Sequence, residues 1–316
     1  MLNLSYTLTP KLKVNCENID RVRLKILTIS MPREKEFRLS WQAKLARTYA
    51  SLSMSGNELE KIDMSKLLSK TETRESLTKY EKEVVNYTKA QDYINQHWYV
   101  SDKRPTYKDV YKLYKLATGD VSKKASKNYK REIKQFIDYI EKGTDHPAIK
   151  AGVAQIELRL VSPFSNNNGR ITRLLSQLFI YKYGYDMRGF LALDEQWKLN
   201  LARFRQETDV AALDKSITGW LEFYTDCLVE ASQKALNLAR EDRKVLGVEK
   251  SFWKISNRQR EILSLLENPD IHITNRDVQV RFKVSQITAS RDLSSLTKQG
   301  FLFSHGDGRS TYYTRV

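Results

Sequence analysis

Two apolar helical segments joined by a short polar loop constrain the fold of this 316-residue chain more than any other feature. In both segments, 146–161 and 171–183, apolar residues recur every three or four positions, which places them on one helix face. These residues are Ile149, Val153, Ile156 and Leu160 in the first segment, and Leu174, Leu175, Leu178 and Phe179 in the second. The pattern predicts a buried helical hairpin around which the rest of the chain packs.

The segments around this hairpin also have the period of amphipathic helices. We predict these helices at 79–96, 108–117, 127–141, 194–207 and 217–246. Only six prolines and twelve glycines occur in the chain, which agrees with long, uninterrupted helices. The predicted fold class is therefore mainly α, a helical bundle.

A different pattern begins after the charged segment 241–250, which has few apolar residues and reads as a linker. Helices are predicted at 257–267, 274–282 and 285–298, with Thr274 and Asp277 as a capping box and Gly300 as the stop of the third. Two short strands follow at 301–304 and 310–314, joined by a glycine-containing turn. Three helices followed by a hairpin predict a winged helix-turn-helix at the C-terminus.

The charge of the chain favours a polyanionic partner. It has 54 lysines and arginines against 38 acidic residues, a net charge of +16. DNA, RNA and nucleotide phosphates are attracted by such a charge, although lysine-rich helix surfaces alone would also produce it. The two cysteines, Cys16 and Cys227, and the four scattered histidines argue against a disulfide framework and against a zinc site.

The third C-terminal helix has one apolar and one polar face, which suits a helix lying in the major groove of DNA. Candidate DNA contacts are Arg291, Ser294, Ser295 and Lys298 on the polar face, and Arg309 at the tip of the hairpin. The alternative is a winged helix used only for protein contacts or dimerisation. Residues 1–13 have no apolar core of a signal peptide, and no apolar run approaches about 20 residues. We therefore expect a cytoplasmic protein without membrane contact.

The loop inside the buried hairpin is small and polar and opens the N-terminus of a helix. It reads Ser-Pro-Phe-Ser-Asn-Asn-Asn-Gly-Arg from Ser162 to Arg170, and Arg173 follows one turn later. Free backbone N–H groups, the helix dipole and an arginine together can hold a phosphate. The alternative is a capped helix whose arginines form structural ion pairs.

These residues resemble the motif of the Fic family, H-P-F-x-[D/E]-G-N-G-R-x-x-R. The matching positions are Pro163, Phe164, Asn168, Gly169, Arg170 and Arg173. Further similarity lies in Tyr6–Pro10, Glu83–Tyr87, His146–Ala151 and Trp220–Phe223. The resemblance implies the Fic helical core, which transfers AMP or related groups from nucleotides onto proteins. It also implies ATP and Mg²⁺ as cofactors, with phosphate binding at Asn167, Asn168, Gly169, Arg170 and Arg173.

Three positions of the motif differ from the family. Ser162 replaces the histidine that acts as general base, and a hydroxyl is not a base near neutral pH. General-base assistance is typically worth about 10²–10⁴-fold in rate. Asn166 replaces the acidic ligand of Mg²⁺, so no intact metal site is expected, and Asn167 replaces the first glycine. ATP and Mg²⁺ binding are therefore expected to be weaker than in the family.

Two further departures agree with the first three. A subgroup of the family carries an inhibitory helix with [S/T]-x-x-x-E-[G/N], whose glutamate pairs with the second motif arginine. Ser51 and Gly56 match this pattern, but Ser55 replaces the glutamate, so Arg173 loses that salt-bridge partner. The β-hairpin flap that docks the target in the family would lie within 118–134, a lysine-rich segment that reads as helix. We therefore expect a reduced flap.

The predicted organisation has three parts. They are an N-terminal helical region at 1–78 with a degenerate inhibitory helix at about 41–57, a Fic core at 79–245 and a winged helix at 246–316. The preferred interpretation is a pseudoenzyme that binds a nucleotide, an anion or DNA and acts as a regulator. The alternative is a divergent, active AMP transferase. Expected partners are DNA, a protein of unknown identity and a second copy in a homodimer. A role in a toxin–antitoxin pair would need a small partner protein.

Overall fold

A computed structural model describes residues 5–69, 76–119, 127–214, 216–241, 256–266, 271–299, 301–306 and 308–315. For residues 69, 127, 128, 264, 309 and 315 it describes the backbone alone. Several predicted features fall outside these ranges. They are residues 120–126 of the segment assigned to a flap, whose remainder from residue 127 onward is helical as predicted, residues 242–250 of the linker, and the single positions Glu267, Gly300 and Asp307.

The described residues form fourteen α-helices and three short strands, so the prediction of a mainly helical fold is confirmed. The first eleven helices are α1 (Pro10–Thr28), α2 (Arg33–Ser53), α3 (Lys61–Ser69), α4 (Lys79–Trp98), α5 (Tyr107–Thr118), α6 (Lys127–Lys142), α7 (Pro147–Val161), α8 (Asn168–Lys182), α9 (Leu193–Leu199), α10 (Leu201–Asp214) and α11 (Thr218–Arg240). The C-terminal elements are α12 (Asn257–Leu265), β1 (Ile273–Thr274), α13 (Asn275–Phe282), α14 (Gln286–Lys298), β2 (Leu302–His305) and β3 (Tyr312–Arg315).

Helices α7 and α8 form the predicted buried hairpin. Nearly every side chain of α8 is buried, and most of α7 is as well. Gly152 allows α11 to approach closely, because a Cβ atom at this position would lie 2.8 Å from Leu221. At the same point Trp220 donates a 3.0 Å hydrogen bond from Nε1 to the Gly152 carbonyl. The small residues of α7 therefore set the distance between the hairpin and α11.

One apolar core extends from α1 to α11. Leu12, Ile19 and Ile26 on α1 are fully buried in it, and α1 packs along α11. The helices before position 78 thus share a core with the helices that follow. Burial of these side chains at about 25 cal/mol per Å² is the main force that holds the N-terminal helices on the bundle.

Several helix boundaries differ from the predictions, and α10 extends to Asp214, beyond the predicted end at 207. The segment predicted as one helix at 194–207 is divided at Asn200 into α9 and α10, where the Asn200 side chain donates to the Gln196 carbonyl. An asparagine competes for backbone hydrogen bonds in this way and can end a helix. Helix α8 begins at Asn168 rather than Ile171, and α11 ends at Arg240. Glu241 has an extended backbone and ends the helix, and residues 242–246 of the predicted helix lie outside the described residues.

The C-terminal residues form three helices and a small antiparallel sheet with strand order β1-β3-β2. Thr274 and Asp277 form the predicted capping box at the start of α13. Strand β1 was not predicted, because two residues are too short for an alternating pattern; it pairs with β3 through Ile273 and Tyr313. This module has its own apolar core, which includes Ile262, Val278, Ala289, Leu293 and Leu296.

An aromatic contact links this C-terminal module to the helical bundle. Phe37 on α2 packs against Phe301, with ring centroids 4.3 Å apart. Both cysteines are buried and free. Within the described ranges, no helix combines the length and the apolar character needed to cross a membrane.

Candidate functional site

The loop between α7 and α8 is held by its own side chains. Asn168 brackets Phe164, because its Oδ1 accepts from the Phe164 N–H at 3.0 Å and its Nδ2 donates to the Phe164 carbonyl at 2.5 Å. The Phe164 ring stacks on Tyr114 with centroids 4.2 Å apart. Asn167 has φ +60°, the left-handed conformation that asparagine adopts more readily than most residues. The loop is therefore a defined turn.

Ser162 ends α7 at the position where the family motif has its histidine. Its backbone is left-handed, with φ +44°, and its hydroxyl donates a 2.6 Å hydrogen bond to the Arg159 carbonyl. The hydroxyl proton is thus engaged with the backbone. A serine in this arrangement has no neighbouring group on the loop that would remove its proton.

Asn166 lies at the position of the metal-binding acid and is exposed. Its Oδ1 accepts from the Asn167 side chain at 3.1 Å and from the Tyr114 hydroxyl at 3.4 Å. Mg²⁺ prefers charged oxygen ligands, and this amide is neutral and already hydrogen-bonded. In the part of the chain that the structure describes, no three His, Cys, Asp or Glu residues cluster. The residues present therefore do not fit a Mg²⁺ site.

Arg170 is buried in an ion pair. Its Nη2 lies 2.9 Å from Oε2 of Glu83, which also accepts a 2.8 Å hydrogen bond from Asn57. This geometry fits the alternative in which the arginine has a structural role, connecting α8 to α4 and to the turn after α2.

Arg173 is held by the end of α2. Its Nε donates to the Ser51 hydroxyl at 2.6 Å, and its Nη2 donates to the Ser51 carbonyl and the Ser55 hydroxyl, both at 2.8 Å. Tyr87 donates to the same Ser51 hydroxyl at 2.7 Å. Ser51 and Ser55, predicted as part of a degenerate inhibitory motif, thus both contact the arginine, whereas Gly56 turns the chain away with φ +84°.

A carboxylate missed by the sequence analysis completes the surroundings of Arg173. Asp194 at the start of α9 is buried, and its Oδ1 lies 3.7 Å from Nε of Arg173. Burial raises the pKa of Asp194 to about 6, although the positive charge of Arg173 opposes this shift. Arg173 therefore has an acidic partner after all, supplied by α9 instead of the expected inhibitory position.

A cleft of about 260 Å³ opens beside Arg173, between α7, α8, α10 and the end of α2. Three arginines line it, namely Arg159, Arg173 and Arg205, and the lining contains no aspartate or glutamate. Arg159 and Arg205 are exposed, and neither has a carboxylate partner among the described residues. The remaining walls are formed by Met54, Ser55, Gln155, Ile156, Gly169, Thr172, Leu201, Phe204, Thr208 and Trp220.

The start of α8 contributes to this cleft through Gly169. The first N–H groups of a helix have no partner within it and carry a partial positive charge. Of the predicted phosphate-binding residues, the structure places Gly169 and Arg173 at the cleft, whereas Asn167, Asn168 and Arg170 do not line it. Gln155, Arg159 and Arg205 were not predicted as site residues, because their convergence depends on how α7 and α10 pack.

The exposed surface of α14 lies at its N-terminal half. Gln286, Ser290 and Arg291 are exposed, whereas Ser294, Ser295 and Lys298 are half-buried. Ser295 accepts a 2.9 Å hydrogen bond from Gln299, and burial lowers the pKa of Lys298. Arg291 is therefore the one of the four predicted helix residues that is presented freely to solvent, and the side chain of Arg309 lies outside the described residues.

No protein-family model and no curated protein sequence matches the chain. Solved structures, in contrast, match the fold of the chain. A Fic family protein from Desulfovibrio desulfuricans is 14% identical and has a TM-score of 0.60, over 98% of this chain and 97% of the other. Fic-1 from C. elegans is 16% identical with a TM-score of 0.59, over 72% of each chain.

A Fic-domain signalling protein from Bacteroides thetaiotaomicron is 21% identical with a TM-score of 0.57, over 71% of this chain and 98% of the other. The first of these three likenesses extends over nearly the whole chain, and all three lie at low sequence identity. The chain therefore has the fold of the Fic family proteins.

Proposed function

We propose that the cleft beside Arg173 binds the phosphate groups of a nucleotide, and that the chain is a Fic-fold regulator with impaired AMP transfer. The observation that carries the proposal is the lining of the cleft, three arginines with no acidic residue. Guanidinium groups bind phosphate oxygens through pairs of charge-assisted hydrogen bonds. A cleft with this lining and the N-terminus of α8 at its edge favours a phosphorylated ligand over a neutral one.

The arginines of the cleft differ in exposure and in the contacts that hold them. Arg173 is fixed by Ser51, Ser55 and Asp194, so it presents a preorganised charge. Arg159 on α7 and Arg205 on α10 are both exposed and line the cleft. Preorganisation of one contact lowers the entropy cost of binding, and the two exposed arginines add positive charge.

Impairment of transfer rests on two residues. The Ser162 hydroxyl donates to a backbone carbonyl and is not a base, and Asn166 supplies a neutral amide in place of a metal-binding carboxylate. In the alternative, a divergent active transferase, a water or another residue would remove the proton from the target hydroxyl. Incubation of the protein with labelled ATP, Mg²⁺ and a cell lysate distinguishes impaired transfer from active transfer. Labelled AMP on any protein supports the divergent active transferase.

Binding itself is tested by titration calorimetry with ATP, with and without Mg²⁺. We expect measurable affinity in both cases and a small effect of Mg²⁺. Arg205→Ala should weaken the affinity by roughly tenfold, about 1.4 kcal/mol, a typical value for one charge-assisted contact. Arg203→Ala on the same helix is the matched control, because Arg203 pairs with Glu207 and Asp226 outside the cleft. An ATP affinity that both variants leave unchanged would place the site elsewhere.

A second candidate function, DNA binding, is favoured by the C-terminal module. The proposal is supported by its three helices and small sheet, and by Gln286, Ser290 and Arg291, which lie exposed at the N-terminal half of α14. Recognition helices contact base edges through this end. The test is binding of the full chain to random and selected DNA duplexes at low salt, and an absence of binding would leave the module a protein-docking element.

A further inference from the structure

Gln155 has a buried amide without a hydrogen-bond partner in the part of the chain that the structure describes. It lies on α7, is 2% exposed, and lines the cleft beside Arg173. Neither its Oε1 nor its Nε2 has a hydrogen-bond partner. Among the described residues, Gln155 is the one side chain with both amide atoms in this state. A buried polar group without a partner destabilises a fold, so such a group in a cleft wall indicates contact with whatever enters the cleft.

The other neutral polar groups of the cleft are already engaged. Thr172 donates to the Gly169 carbonyl at 2.9 Å, and Thr208 donates to the Phe204 carbonyl at 2.7 Å. The Ser55 hydroxyl accepts from Arg173 and donates to the Ser51 carbonyl at 3.1 Å. The amide of Gln155 is therefore the uncommitted neutral group of the cleft.

The amide of Gln155 determines which chemical groups of a ligand can pair with it. It offers an acceptor and two donors side by side, so a ligand that satisfies both atoms must present a donor beside an acceptor. An ionised phosphate presents acceptors only and would leave Oε1 unsatisfied. The edge of a nucleobase, such as the amino group and ring nitrogen of adenine, pairs with a glutamine through two hydrogen bonds.

The surroundings of Gln155 agree with a base. Ile156, the next residue in the chain, contributes an apolar side chain to the wall of the same cleft. Phe204 and Trp220 contribute aromatic rings to it. Trp220 has its Nε1 bonded to Gly152, so it offers only its ring surface. Ligand pockets characteristically combine such walls with a few placed polar groups that determine orientation and specificity.

We propose that Gln155 is the specificity-determining residue of the cleft and selects nucleotides whose base presents a donor next to an acceptor. The inference rests on the proposed function, because the phosphates of the same ligand would contact the arginines and the start of α8. In this arrangement Gln155 contacts the base and the arginines contact the phosphates. Ligands that lack the base, or lack its amino group, therefore separate the two contributions to affinity.

The test uses calorimetry of the full chain with three probes, namely ATP, purine riboside triphosphate, which lacks the amino group, and inorganic tripolyphosphate. The wild type should bind ATP about 10-fold or more tighter than purine riboside triphosphate, as expected for a paired base contact. Gln155→Leu should reduce this ratio to about 1 and leave the tripolyphosphate affinity unchanged. Gln155→Met is a second variant of similar volume if the first does not fold.

Thermal unfolding provides an independent readout. Replacing an unsatisfied buried amide with an apolar side chain of similar size should leave the melting temperature unchanged or raise it. A marked decrease for both variants would mean that the amide has internal partners, and this would overturn the inference. Tripolyphosphate binding without discrimination between the two nucleotides would overturn the role of Gln155 alone. Failure of all three probes to bind would overturn the proposed function together with it.

Discussion

Nη2 of Arg173 donates a 2.8 Å hydrogen bond to the hydroxyl of Ser55, a residue of the predicted degenerate inhibitory motif. The arginine is thus contacted by the end of α2 without being neutralised there. Its acidic partner, Asp194, lies on α9 and its carboxylate oxygen is farther away, at 3.7 Å. This arrangement fixes the position of Arg173 and leaves the cleft lining without an acidic residue.

A carboxylate at position 55 should close the cleft to anions. Ser55→Glu places a negative charge beside Arg173, and a like charge next to an anion site costs on the order of 1 kcal/mol or more. We therefore expect roughly a tenfold loss of tripolyphosphate affinity by calorimetry. Ser53→Glu is the control, because Ser53 is the last residue of α2, two positions before Ser55, and does not line the cleft. Equal losses of affinity in the two variants would mean that the added charge acts through the overall charge of the protein and not at the cleft.

Restoring the two missing motif residues should restore transfer. In Ser162→His combined with Asn166→Asp, a general base and a charged metal ligand return to the loop, and histidine tolerates the left-handed backbone at 162. The gain of labelled AMP on the protein should reach about 10²–10⁴-fold over background, the usual contribution of a general base. Ser162→Ala should not differ from the wild type. Strong labelling by the wild type that Ser162→Ala removes would instead show that the serine is catalytic.

Buried carboxyl groups should make the fold less stable as pH rises. Burial raises the pKa of Glu157 to about 7 and that of Asp186 and Asp194 to about 6. A carboxyl with a raised pKa in the folded state binds more protons there than in the unfolded chain. The free energy of unfolding therefore falls as pH rises from about 4 to about 7, where each buried carboxyl loses its proton.

Glu157 offers a direct measurement of this effect, since it has the highest of these pKa values. Glu157→Gln should raise the free energy of unfolding at pH 8 by about 1–3 kcal/mol relative to the wild type, and by much less at pH 4. Urea unfolding followed by circular dichroism at both pH values provides the comparison. Glu230→Gln, at an exposed position of α11, should show no such dependence on pH. A Glu157→Gln effect that is equal at both pH values would mean that packing, not charge, is responsible.

DNA binding by the C-terminal module should depend on salt and on Arg291. The logarithm of affinity should fall linearly with the logarithm of salt concentration, with a slope of roughly −0.9 per phosphate neutralised. Arg291→Ala should lower discrimination between sequences, by about 1–3 kcal/mol if the contact is bidentate to guanine. Arg309→Ala should weaken binding to all sequences alike. Arg205→Ala, in the cleft of the helical bundle, should leave DNA affinity unchanged, as measured by fluorescence anisotropy.

The sequence predicts most of the helices because each one has a local cause. The apolar period of α7 and α8, the capping box of Thr274 and Asp277 and the scarcity of proline are all readable within a few residues. Errors occur where a local competitor acts, as at Asn200, or where an element is too short for a pattern, as in β1. The motif loop was located for the same reason, since its residues are contiguous.

By itself, the sequence determined the mainly helical fold, the loop at Ser162–Arg170 and the residues that differ there from a Fic motif. Tertiary structure alone decided what these residues do with one another. Arg170 faces Glu83, 87 positions away, and Arg173 faces Ser51, 122 positions away, so their partners are set by how α8 packs on α4 and α2. Gln155, Arg159 and Arg205 converge on one cleft for the same reason. Helical periodicity is a property of neighbouring residues, whereas a cleft is a property of packed helices, and its chemistry is fixed only when they meet.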